Sequence, residues 1–316
     1  MKRSGNHPTI NLVSEVTLPS PWKGITRKTP LLFIGSCFSE NIGYELQRAS
    51  FPVVVNPFGI TYNPLSIMDQ LQTIKSDRRY SPSDLLRVGD LWCSSDHHGR
   101  FSSVEPEECL SSINRELEAA RALTKPVVLL TFGTGWVWEE TASPHRVVNN
   151  CHKRPADAFN RKLPSLDTLI NKWQSVKALW PNTTFVVSVS PVRYDDAVAN
   201  SRGKALLHLF CDALERRGDA LYFPSYELLH HELRDYRFYA SDHRHPSDDA
   251  IRYIRSSFLN WSLHDDAAAW YRAWKKLHQQ RQHRPLHPET ASAKAFFENL
   301  KKQEKTLRDA YPDMDI

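Results

Sequence analysis

The chain reads as an α/β protein: a three-layer α/β/α sandwich with a central parallel sheet, followed by C-terminal helices. Three observations predict it. Four short runs of aliphatic and β-branched residues are spaced along the chain, stretches of helical periodicity separate them, and each run stops at a turn rich in Gly, Pro or Asn. Strands covered on both faces lose the alternation of a half-exposed sheet, and the helices between them let neighbours run parallel.

The first run, Pro30–Ile34, ends at Gly35 and gives way to a helical stretch over Ser39–Ala49 carrying Ile42 and Leu46. Strand, tight turn, helix opens an α/β unit. Phe51–Val55 is the second run and breaks at Asn56-Pro57-Phe58-Gly59; Asn63-Pro64 then starts a helix through Ile67, Leu71 and Ile74. Lys125–Thr131 closes at Phe132-Gly133-Thr134-Gly135, and Thr184–Val189 closes at Ser190-Pro191. Helices are expected around Leu166–Leu179 and Lys204–Arg216. Because ligands of open parallel sheets bind beyond the carboxyl ends of the strands, Gly35–Cys37, Asn56–Gly59, Gly133–Gly135 and Ser190–Arg193 are expected along one rim.

With 316 residues, 41% of them hydrophobic, one large domain over 1–262 and a packed helical extension over 263–316 account for the length. The extension is charged and is broken by His283-Arg284-Pro285-Leu286-His287-Pro288 into two helices. A formal charge of +5, from 41 Lys and Arg against 36 Asp and Glu without a dense single-sign block, does not point to nucleic acid. Two early basic residues precede no apolar core of a leader, and no apolar run is long enough to span a membrane. Five scattered cysteines without paired spacing argue against a disulfide framework or a structural zinc site, so a reduced, cytoplasmic protein is expected, with no cofactor and no metal.

Chemistry concentrates at few places. Cys37 lies two residues past a buried run and just before a helix, where the helix dipole and free N–H groups favour a thiolate and an oxyanion. A lone cysteine is ordinarily a core residue, but strand–Gly–x–Cys–helix is a nucleophile's setting; Ser36 is the competing nucleophile. Asp242 and His245 share the loop Tyr239–Ser247, with Pro246 suited to the first turn of the helix that follows. Their spacing lets the carboxylate hold one imidazole nitrogen while the other faces a nucleophile. Asn150-Cys151-His152-Lys153 offers an amide and an imidazole able to polarise a carbonyl, or else a turn around a satisfied histidine. Asp96-His97-His98 lacks a third ligand by spacing and reads as a solvated loop. Arg234–Tyr239 reads as a salt-bridged rim segment.

Gly35-Ser36-Cys37-Phe38-Ser39 resembles the signature of the GSCFA family, with Ser39 where the name has alanine. The likeness extends through Asn56-Pro57-Phe58-Gly59, Thr131–Thr134, Asn150–Lys153, Ser190–Arg193 and Leu233–Ser247. That family is similar to the SGNH, or GDSL-like, hydrolases, three-layer α/β/α esterases and acyl transferases. The resemblance implies Cys37 in the nucleophile slot, His245 as base, Asp242 as its supporting acid, and a Gly59 N–H in the oxyanion hole. Gly133-Thr134-Gly135-Trp136 stands where those enzymes carry an oxyanion asparagine, so that either Asn150 or Asn56 substitutes or the hole is weaker.

The expected function is acyl transfer: an esterase, thioesterase or acyltransferase with a Cys–His–Asp constellation acting on a small-molecule or glycan acyl substrate. The alternative is a catalytically silent protein of the same fold that binds a carbohydrate or acylated ligand. A third class, partner or nucleic-acid binding through Lys275-Lys276, Lys301-Lys302 and Lys305, has the least support.

Overall fold

The computed structural model describes residues 14–143, 146–194 and 196–315. The basic N-terminal residues read for a leader, 1–13, lie outside them.

In chain order the elements are β1 (Leu31–Gly35), α1 (Cys37–Arg48), β2 (Val53–Val55), α2 (Pro64–Lys75), β3 (Leu86–Val88), β4 (Leu91–Cys93), α3 (Pro106–Arg121), β5 (Val127–Phe132), β6 (Val137–Glu140), β7 (Val147–Val148), β8 (Phe159–Lys162), α4 (Leu166–Leu179), β9 (Phe185–Val189), α5 (Ala197–Arg216), β10 (Leu221–Tyr222), α6 (Ser225–Glu227), α7 (Asp248–Ser262), α8 (Asp265–Gln282) and α9 (Ala291–Ala310). Five of the strands form one sheet in the order β10-β9-β5-β1-β2, every neighbouring pair parallel. Taken from the other edge this is 2-1-3-4-5, the order of a doubly wound sheet, and its switch point lies between β1 and β5.

Alternation along the strands divides the core. Leu32, Ile34, Val128, Leu130, Phe185 and Val187 face a cluster with Leu71, Ile113, Trp173 and Phe210 from α2, α3, α4 and α5. Leu31, Phe33, Val53, Leu129 and Val186 face the opposite cluster with Ile42, Ile254, Trp270 and Leu307 from α1, α7, α8 and α9. Both faces are covered, so the strand sequences are apolar throughout. Helix α8 is tied to α1 and its C-cap: Trp270 Nε1–H donates to Ala49 O at 2.7 Å, and Tyr271 Oη–H donates to Glu45 at 2.8 Å.

Helix starts differ from the periodicity reading because the caps lie upstream of the apolar stripes. Ser36 caps α1, Asp196 caps α5 and Ser247 caps α7, which leaves Pro246 before the cap rather than in the first turn. Helix α3 and two small antiparallel sheets, β3–β4 and β7-β6-β8, were not expected. Their strands have two to four residues, too short for a period to show. No helix among the described residues is long and apolar enough to cross a membrane.

Candidate functional site at the switch point

The β1–α1 junction is built on a glycine. Gly35 has φ 145°, and a Cβ there would come within 2.3 Å of Thr131 O on the neighbouring strand. Ser36, fully buried, caps the helix: its Oγ accepts from Phe38 N–H at 3.3 Å and lies 3.1 Å from Thr131 Oγ1, which also meets Ser39 Oγ at 2.7 Å. The serine hydroxyl is thus held in a buried cluster, and the next residue, Cys37, opens the helix half-buried. As the first helical residue its N–H has no intrahelical acceptor.

The thiol, however, is not poised as a thiolate. Burial and, next, the charge of Glu40 push Cys37 up to about 11, against the smaller pull of the Cys37 and Phe38 N–H groups and of Lys204. The helix N-terminus acts in the expected direction and loses to desolvation. Tyr62 and Tyr194 pack with ring centroids 4.8 Å apart beside Gly133, where a Cβ would press within 3.0–3.1 Å of both rings. Burial raises both phenols, and the negative charge that Cys37 would carry raises them further.

Lys204 completes this arrangement. It is 3% exposed, donates from Nζ to Gly133 O at 2.7 Å and Ser190 O at 2.6 Å, and pairs with no carboxylate among the described residues. Burial brings it down to about 7, while the charge of Cys37 pulls the other way. Sequence reading passed over it as one more helical lysine. The available signal was its register: Lys204 shares the α5 stripe of Leu207 and Cys211, both buried.

Asp242 and His245 form a pair on an exposed loop. His245 Nδ1 lies 2.6 Å from Asp242 Oδ2, and Asp242 Oδ1 accepts from the His245 and Arg244 N–H groups at 3.0 and 2.9 Å. These bonds, the His245 N–H foremost, hold the Asp242 carboxyl well below its ordinary range. The Arg193 N–H donates to Arg244 O at 3.0 Å, tying the loop to the end of β9. His245 Nε2 hydrogen-bonds no described protein group, Cys37 Sγ included. Tyr239, expected on a salt-bridged rim, is instead buried: Arg193 donates to its hydroxyl at 2.9 Å, which lies 3.0 Å from His230 Nδ1, and His230 Nε2 lies 3.0 Å from Pro191 O.

The remaining residues divide. Asn56 is fully buried; its Oδ1 accepts the Gly35 N–H at 2.8 Å and its Nδ2 has no protein acceptor. The Gly59 N–H is turned inward onto Asn56 O at 2.7 Å, and the Gly133 N–H onto Tyr62 O at 2.7 Å. Asn150 Oδ1 accepts the His152 N–H at 2.8 Å, and His152 Nε2 meets Ser94 O at 2.8 Å, so this segment is the turn around a satisfied histidine. The loop Asp96–His98 is not solvated throughout: His97 is 1% exposed, stacks on Phe58 at 4.9 Å and is brought down to about 3 by burial. No three His, Cys, Asp or Glu side chains among the described residues gather as a metal site.

Fold and site together define a doubly wound α/β protein with a half-buried thiol at its switch point. The chain belongs to the GSCFA family: the model of that family matches residues 30–258, and that of the GSCFA domain protein, C-terminal domain, matches residues 274–316. No curated protein matches it.

Proposed function

We propose that the protein is an acyl-transfer enzyme of SGNH-like design, with Cys37 as nucleophile and an ester or thioester as acyl donor. The observation that carries this reading is the position of Cys37: first residue of α1, at the switch point, with a main-chain N–H that has no intrahelical acceptor. A protonated thiol needs a base as it attacks. His245, oriented by Asp242 through Nδ1, has Nε2 free for that proton. The sulfur–carbon bond forms as the proton passes to His245, and the collapse of the tetrahedral species returns that proton to the leaving oxygen or sulfur. Water or an acceptor hydroxyl then takes the acyl group from Cys37 by the reverse route. The Cys37 N–H and the spare Nδ2 of Asn56 are the oxyanion donors in this scheme.

Intact mass after incubation with p-nitrophenyl acetate tests it. An acetyl adduct is expected on the wild type, absent in Cys37→Ala and slowed in His245→Ala. The raised thiol and the lack of a Cys37–His245 hydrogen bond favour a second reading, a binding protein that keeps the fold without the chemistry. Absence of any adduct on the wild type, at a pH where the thiol ionises, selects that second reading.

A further inference from the structure

A cavity of about 690 Å³, within the ordinary range of small-molecule sites, opens between α2, the β3–β4 hairpin and β7, and neither Cys37 nor His245 lines it. Two hydrogen bonds lead from it to the β1–α1 junction: Gln70 Nε2 donates to Thr61 Oγ1 at 2.7 Å, and the Thr61 N–H donates to Gly35 O at 2.9 Å.

Two of its lining amides are incomplete. Gln70 is 3% exposed and its Oε1 is buried without a protein partner; Asn149 Oδ1 is in the same condition. Buried amide oxygens ordinarily find a donor. Whichever way each amide is turned, a hydroxyl satisfies the open end, since it both donates and accepts.

The charged lining is already paired, Asp69 with a lysine outside it and the rest among themselves. Asp96 lies 3.3 Å from Arg78 and 3.8 Å from Arg146, and accepts the Tyr80 hydroxyl at 3.1 Å; Arg78 also holds Asp84 at 2.9 Å, and Asp69 holds Lys172 at 2.5 Å. A free anion or cation entering here would have to break these pairs. A neutral ligand would not, and the edges of paired carboxylates and guanidiniums offer acceptors and donors side by side, as adjacent hydroxyls require. Leu85, Leu86 and Val147 supply an apolar wall for a C–H face.

We propose that this cavity binds a neutral sugar, of mono- or disaccharide size, through Gln70, Asn149 and the Asp96–Arg78 edge. Binding there does not depend on the acyl-transfer reading, because it needs neither Cys37 nor turnover.

The test is saturation-transfer-difference NMR and calorimetry on the full chain with glucose, galactose, mannose, N-acetylglucosamine, maltose and cellobiose, with glucose 6-phosphate as the charged control. At least one neutral sugar is expected to bind with a dissociation constant below about 10 mM, and Asp96→Ala to weaken it about tenfold. Ser76→Trp, an exposed position on the cavity lining, is expected to abolish binding without touching the core, and Cys37→Ala to leave it unchanged. Three results overturn the proposal. They are no binding by any of the six neutral sugars, binding indifferent to both Asp96→Ala and Ser76→Trp, or glucose 6-phosphate binding more tightly than glucose.

Discussion

Raising the pH on the intact protein and following carbamidomethylation of Cys37 by peptide mapping gives a direct reading of the buried thiol. Its ordinary value is 9.0 and its value in the fold is about 11. At pH 8 a thiol of the first kind is thiolate in about one molecule in eleven, and one of the second kind in about one in a thousand. Because alkylation proceeds through the thiolate, Cys37 is expected to react with iodoacetamide about a hundredfold more slowly than an exposed thiol at pH 8. The rate should climb about tenfold per pH unit and level off only near pH 11. Glu40→Gln removes the second cause of the shift and moves the whole profile to lower pH. Free glutathione in the same tube sets the reference rate. A Cys37 profile that levels off below about pH 8.5 would show that the helix N-terminus outweighs burial, and the ordering of effects argued for this site would be wrong.

Three further outcomes follow from particular contacts. Ser36→Ala removes the α1 cap and one arm of the Thr131 cluster; it should cost about 1 kcal/mol in urea denaturation and leave any acetyl adduct on Cys37 in place. Retention of full stability, or loss of the adduct at intact stability, counts against a purely capping role. Glu45 is 6% exposed; burial raises its carboxyl, but Tyr271, Arg255 and Arg48 together hold it below its ordinary 4.5. Its contribution is therefore complete above the unfolded value and lost as pH falls through the folded one, and Glu45→Ala should cost about 2–4 kcal/mol at pH 7 and less once acid protonates the carboxyl. Lys204 has the same sense in a higher window: folded near 7 and ordinarily 10.5, it binds fewer protons folded than unfolded between those values. Wild-type stability should thus rise by a few kcal/mol from pH 7 to pH 10 relative to Lys204→Met, and a flat difference across that window would refute the buried neutral amine.

Much of this protein is written in local sequence. Runs such as Leu31–Ile34 and Val127–Thr131 are apolar on both faces, which already demands a sheet covered on two sides, and a parallel sheet fixes which end carries the site. Gly35, Ser36 and Cys37 are adjacent in the chain, so strand, cap and first helical residue could be read together; the Asp242–His245 pair likewise closes over three residues. What could not be read locally depends on groups distant in sequence. Desolvation of Cys37 is set by the helices and loops that close around it, and no window of neighbours contains that quantity. Lys204 meets Gly133 from 71 residues away, and the Gly59 N–H is turned inward because the loop closes on Asn56 rather than opening to the rim. The chain specifies the sheet and the candidate nucleophile through short-range pattern. Tertiary packing alone decides the protonation of that nucleophile and the charges that face it, because burial and Coulomb interaction are properties of the assembled interior.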